Sequence, residues 1–300
     1  MTSSYHMPWN VSLHGGHSVA FCEHAHSTLE EMIQAAISRG MAHYGISEHA
    51  PRYDPALLFP EEIEMGWTVD TLWANFEAYA QESAHLVNKY ADELSLLRGF
   101  EIEVMPPDTY PSVMMKYREQ FGFDYLVGSV HYVNGTLIDY DVYTLEHVLR
   151  QYDGLDALAV AYYTDVARMV ESLRPEIVGH VDLVRKFAGP FGPVDTPVIQ
   201  QAAGETLEVI RDCEAILDCN TAGYRKGHGM PYPAPWLVRL AVDMGIPFCF
   251  GDDSHSVAEV GAGISEAQQY LLENGVTTIT HLVRDSGGAI DRRTVGLEAP

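Results

Sequence analysis

Short apolar runs alternate with amphipathic stretches along almost the whole of this 300-residue sequence. That alternation constrains the fold more than any other feature. An apolar run buried on both faces is a strand of a parallel sheet, and the stretch that follows it is the covering helix. Strands are expected at 10–13, 42–47, 94–104, 124–130, 176–181, 215–219 and 247–250, with a weaker final strand near 277–283. Ser27 and Glu30 have the spacing of a capping box, opening a helix that Gly40 stops. Further helices are expected at 70–90, at 155–173, from Pro233 or Pro235, and after Gly263. Seven or eight such units without a linker or a repeat fit an α/β fold in which one closed barrel fills a single domain, residues 1–300. The segment 52–68, rich in prolines and acidic residues, breaks the pattern just after a strand, which suits a lid, while Glu61–Glu64 reads as a solvated face.

Composition removes several function classes. A formal charge of −24 argues against nucleic acid as a partner, because phosphate-backbone binding needs clustered Lys and Arg. No apolar run approaches the roughly 18 residues of a membrane span, and the N-terminus lacks the basic stretch and apolar core of a secretory signal. Cys22, Cys213, Cys219 and Cys249 form no CxxC pair. Reduced core thiols and a cytoplasmic location are therefore expected.

In a βα barrel the chemistry sits at the C-terminal ends of the strands and in the loops just beyond them. Those positions hold His14, His17 and His24 after the first strand, and Glu48 and His49 at the end of the second. Glu101 and Glu103 follow on the third, His131 on the fourth and His180 on the fifth. Asn220 follows the sixth, and Asp252, Asp253 and His255 the seventh. Neutral imidazole is the commonest side-chain ligand for a transition metal, and a zinc ion needs only three or four protein ligands. His14, His17, His24, His49, His131, His180 and His255, with Glu101 and Asp253, supply enough donors for two ions, or three if a carboxylate bridges. Such an imidazole-rich set suits Zn, Mn or Fe better than Mg or Ca. Glu101 and Glu103 share a strand face, and Asp252 is read as a turn residue. Cys22 is read as packing beneath the loop rather than as a ligand.

Taken in order, the motifs Phe-Cys-Glu-His24, Ser-Glu-His49-Ala-Pro, Gly-Phe-Glu101, Gly-Ser-Val-His131, Gly-His180-Val-Asp and Gly-Asp-Asp253-Ser-His255 resemble those of the PHP (polymerase and histidinol phosphatase) family. The likeness is nearest to the monofunctional phosphatase branch. It implies a distorted (βα)7 TIM-like barrel, two to three divalent ions, and a small phosphorylated substrate. The implied reaction hydrolyses L-histidinol phosphate by attack of a metal-bridging hydroxide on phosphorus, with another phosphomonoester or a nucleotide as the alternative. Matching motifs imply one ion on His14, His17, Glu101 and Asp253, a second on Glu101, His131 and His180, and a third on His24, His49 and His255. Glu101, Asp253 and His255 become the catalytic residues. The family's first motif is usually His-x-His, whereas Gly15 and Gly16 separate His14 from His17 here, so a bulge or tight turn must bring the rings together.

Phosphate also needs cationic donors. Arg225 and Arg185 follow the sixth and fifth strands, and a planar guanidinium matches phosphate oxygens in bidentate fashion. Two other classes are weighed. A metal-dependent amidohydrolase would place a carbamylated lysine at a strand end, where no lysine is expected. A metal-storing protein would have no use for open coordination positions.

Overall fold

A computed structural model describes residues 7–298 except residue 286. The strands in chain order are β1 (Val11–Ser12), β2 (His43–His49), β3 (Ser95–Glu101), β4 (Tyr125–Gly128), β5 (Tyr132–Val133), β6 (Thr136–Leu137), β7 (Ile177–Val178), β8 (Ile216–Asn220), β9 (Phe248–Gly251), β10 (Thr278–Arg284) and β11 (Ile290–Gly296). Seven of them form one parallel sheet in the order β1-β2-β3-β4-β7-β8-β9. The sheet curls back on itself, and the amide of Leu13 donates to the Phe250 carbonyl at 2.9 Å across the remaining seam. This is the distorted (βα)7 barrel. β5 and β6 form a small antiparallel hairpin beyond β4.

Inward-facing Leu13, Leu97, Tyr125, Val127, Ile177, Ile216 and Cys249 fill the barrel, and Leu282 of β10 joins them. The weak final strand is thus no eighth stave. It pairs antiparallel with β11, and this hairpin plugs the end of the barrel where the strands begin. Outside the sheet, Phe76 and Tyr79 of the helix Val69–Lys89 pack among Phe100, Tyr117, Phe121 and Phe123. All four cysteines are free. Among the described residues, no helix is long and apolar enough to cross a membrane.

Two local expectations are corrected. The first capping box is Thr28 with Glu31, not Ser27 with Glu30. A shift of one residue turns Leu29, Met32, Ile33 and Ala36 onto the core, and Glu30 instead accepts from the Tyr90 hydroxyl at 2.6 Å. The segment 52–68 carries a 3-10 turn, Pro55–Leu57, and a short helix, Pro60–Glu64. Glu62 of the supposed solvated face is buried against Arg52, whose guanidinium also lies 4.1 Å over the Phe59 ring. An ion pair and a cation–π contact thus brace the segment internally.

The plug contains a stability-linked pair. The His281 ring is buried, with its centroid 4.6 Å from that of His43, and among the described residues neither of its nitrogens has a hydrogen-bond partner. Burial, helped by His43 and Arg293, lowers its pKa to about 4. The folded protein therefore refuses a proton that the unfolded chain accepts below about pH 6.5, its ordinary value. The stability is fully present above that pH and falls as the pH drops towards 4, by on the order of 2–3 kcal/mol. His281→Phe should flatten this part of the curve. Urea midpoints for both proteins from pH 7 to pH 4 check it, and parallel curves would contradict the assignment.

Candidate metal centre

Every stave of the barrel delivers a polar group to the same end. β2 ends on His49, β3 on Glu101 and β8 on Asn220. His14, His131, His180 and Asp253 stand two or three residues beyond the ends of β1, β4, β7 and β9. Their common focus is Glu101, whose carboxylate is buried. Its Oε1 lies 3.1 Å from His180 Nε2, 3.2 Å from His14 Nε2 and 3.5 Å from His131 Nε2. Oε2 lies 2.9 Å from His49 Nδ1 and 4.0 Å from His17 Nε2. Burial opposes the charge, but the surrounding imidazoles of His14, His131 and His180 outweigh it and hold this carboxyl well below the usual range. Glu103, on the same strand face, reaches His131, with Oε1 2.5 Å from Nδ1.

The remaining imidazoles stack beside this focus. The centroid of His255 is 4.4 Å from that of His17 and 4.5 Å from that of His24, and His49 lies 4.3 Å from His17. Asp253 Oδ1 is 3.6 Å from His17 Nε2. Burial, reinforced by His17, His24 and His49, holds His255 well below its ordinary pKa and so neutral, its lone pair available. Ligand atoms close enough to share an ion occur in the sets His14, His17 and Glu101; Glu101, His131 and His180; His17, Asp253 and His255; and Cys22, His24, His49 and His255. Among the described residues, the buried Nε2 atoms of His17, His49 and His255 have no hydrogen-bond partner. Orphaned imidazole nitrogens converging on carboxylates fit divalent transition ions. Cys22 is buried, with its Sγ 3.5 Å from the His24 ring.

The Gly15-Gly16 departure does not carry His17 away. Gly15 has φ +153° and Gly16 φ +77°. A Cβ on Gly15 would stand 2.0 Å from Asp252 Oδ1, so the backbone threads a space that only glycine leaves. The Gly15 and Gly16 amides donate to Ser47 and Ser254 hydroxyls at 3.0 and 3.1 Å, and the turn returns the His17 ring to 6.1 Å from that of His14. Asp252 has the expected turn role, accepting from the Ser254 and Gly261 amides.

Three carboxylates stand behind the imidazoles. Asp218 Oδ2 lies 2.7 Å from His14 Nδ1, Glu48 Oε1 3.3 Å from His17 Nδ1, and Glu103 faces His131. Such partners fix the tautomer and raise the basicity of the nitrogen left for a metal. The sequence reading missed Asp218, although a lone acid inside the apolar run Ala215-Ile216-Leu217-Asp218-Cys219 was a usable signal.

The arginines are placed differently from expectation. Arg185 is buried, paired to Asp182 at 2.8 Å and donating to the Pro231 carbonyl. Arg225 donates to the Asp252 and Asp253 carbonyls and pairs with Glu259, and among the described residues its buried Nη1 has no partner. Neither lines the cavity over the metal centre, where the cations are Arg52, Lys186 and Lys226. A position just after a strand told which loop each arginine occupies, but not which neighbour would claim its guanidinium.

A multi-histidine centre at the C-terminal mouth of a seven-stranded barrel defines a metal-binding PHP-type protein, and the family model of the PHP domain matches residues 14–222. The chain belongs to that family. A probable histidinol-phosphatase of Schizosaccharomyces pombe is 30% identical over 286 residues, covering 93% of this chain and 91% of the relative. The histidinol-phosphatase of Saccharomyces cerevisiae is 27% identical over 87% of this chain and 88% of its own length. The crystal structure of a histidinol phosphatase from Listeria monocytogenes, so described provisionally, matches with a TM-score of 0.75 at 27% identity, covering 85% of this chain and 99% of that one. Histidinol phosphate phosphatase from Lactococcus lactis, complexed with zinc, L-histidinol and phosphate, matches with a TM-score of 0.68 over 94% of this chain and 99% of that one. At 18% identity, that second likeness speaks for the fold alone.

Proposed function

We propose that this protein is a metal-dependent phosphomonoesterase that hydrolyses L-histidinol phosphate to L-histidinol and phosphate. The observation that carries the reading is Glu101, a buried carboxylate with imidazoles on both oxygens. The names of the relatives at 27–30% identity point to the substrate. Two to three divalent ions are inferred, of Zn, Mn or Fe type. His14, His17, Glu101 and Asp253 would hold one; Glu101, His131 and His180 a second; His24, His49 and His255 a third. Bound there, such ions supply a nucleophilic oxygen at neutral pH and positive charge against the phosphoryl oxygens.

The chain's own groups have separable tasks. Glu101 holds two imidazole sets in register, while Asp218, Glu48 and Glu103 fix the rings of His14, His17 and His131. Arg52, Lys186 and Lys226 put positive charge on the cavity wall, where a phosphate dianion needs it. Arg225 and Arg185 stand off that wall, their guanidinium groups held by the Asp252 and Asp253 carbonyls with Glu259, and by Asp182 with the Pro231 carbonyl. Unpaired thiols throughout support a cytoplasmic setting. Turnover of L-histidinol phosphate, glycerol phosphate and a nucleoside monophosphate tests the reading, with metal content measured on the same preparation. We expect kcat/KM to favour histidinol phosphate by about a hundredfold. Equal rates across the panel would overturn the substrate, and full activity in metal-free protein would overturn the mechanism.

A further inference from the structure

We propose that Glu61 selects the substrate, by taking the cationic group at the end remote from the phosphate; this rests on the phosphomonoesterase reading above. The argument starts from charge. Among the described residues, six carboxylates line the cavity, those of Glu23, Glu61, Glu101, Glu103, Asp139 and Asp253. Five already face a group able to carry positive charge. Glu23 meets His24 at 2.7 Å, Glu103 meets His131, Asp139 meets Lys186 at 3.0 Å, and Glu101 and Asp253 lie among the imidazoles of the metal centre. Glu61 differs. Among the described residues its side chain has one partner, the neutral hydroxyl of Tyr140, which donates to its Oε1 at 2.6 Å.

Position supports the same role. Glu61 sits on the short helix of the 52–68 segment, and Tyr140 stands beyond the β5–β6 hairpin, so their hydrogen bond joins two separate segments on the cavity wall. Phe59, on the same wall, is already covered by the Arg52 guanidinium, so the carboxylate is the group left to take a cation. A carboxylate oriented by a hydroxyl is complementary to an ammonium or imidazolium group. It gives no such advantage to a neutral alcohol. The substrate class is therefore a phosphomonoester with a cationic tail.

The test compares wild type, Glu61→Gln, Glu61→Asp and, as a control on the same helix, Glu64→Gln. L-Histidinol phosphate is the cationic substrate and 4-nitrophenyl phosphate the neutral one. For Glu61→Gln we expect KM for histidinol phosphate to rise about tenfold with kcat within about twofold, and no change on the neutral ester. Glu61→Asp should recover part of the loss, and Glu64→Gln should match wild type. If both substrates decline together in Glu61→Gln, its role is structural and the proposal falls. An unchanged ratio between the two substrates also overturns it. A wild type with no preference for the cationic ester would instead break the substrate reading, before any variant is considered.

Discussion

Glu101→Gln should lower kcat by about a thousandfold or more and strip the protein of most of its bound metal. The substitution keeps the shape of the side chain and removes only its charge. That charge is what the site is built around, since Oε1 faces His14, His131 and His180 while Oε2 faces His49 and His17. An amide in this place would turn one neutral NH2 group towards imidazole nitrogens that need a carboxylate or an ion opposite them. Metal analysis and steady-state kinetics on the purified variant check the expectation, with circular dichroism confirming that the barrel has formed. Glu103→Gln is the informative comparison. It leaves Glu101 intact and removes only the negative charge behind His131, so its loss should be much smaller. If the two variants were equally impaired, Glu101 would not be the shared carboxylate.

The barrel was legible because its signal is periodic: a strand buried on both faces must be apolar along its length, and the seven staves were each visible as such runs. The eighth run, near 277–283, carried the same apolar signal for a different reason. Leu282 enters the barrel from below, so β10 is apolar without being a stave, and composition does not separate these two ways of being buried. The converging side chains were legible because strand ends are fixed by the fold, and His14, His131, His180 and Asp253 needed no knowledge of their neighbours to be placed. The arginines did need it. Arg185 and Arg225 follow the right strands, yet Asp182, Glu259 and nearby carbonyls hold their guanidinium groups. Arg52 escaped notice for the converse reason, lying in a segment with no periodicity, where burial against Glu62 and Phe59 arises only on folding.

Asp218→Asn should weaken metal binding by about ten- to a hundredfold without unfolding the protein. Asp218 is fully buried in a strand whose other residues are mostly apolar, and its Oδ2 lies 2.7 Å from His14 Nδ1. Asn220 donates to the same oxygen at 2.9 Å, fixing the carboxylate's orientation. The space for it comes from Gly251, where a Cβ would stand 2.3 Å from Asp218 Oδ1. Two neighbouring strands are thus shaped around a group whose contact with the proposed metal centre runs through His14. Asparagine retains an oxygen that can accept from Nδ1, so the His14 ring keeps its direction while the negative charge that makes its Nε2 a stronger donor is gone. The defect should therefore be one of affinity: competition with a chelator shows weaker binding, and added metal restores most of the turnover. Asp218→Ala should be worse on both counts, because the ring then loses its orientation as well. If Asp218→Asn bound metal as tightly as wild type, the charge behind His14 would have no part in building the site, and the burial of Asp218 would have to be explained by the strand alone.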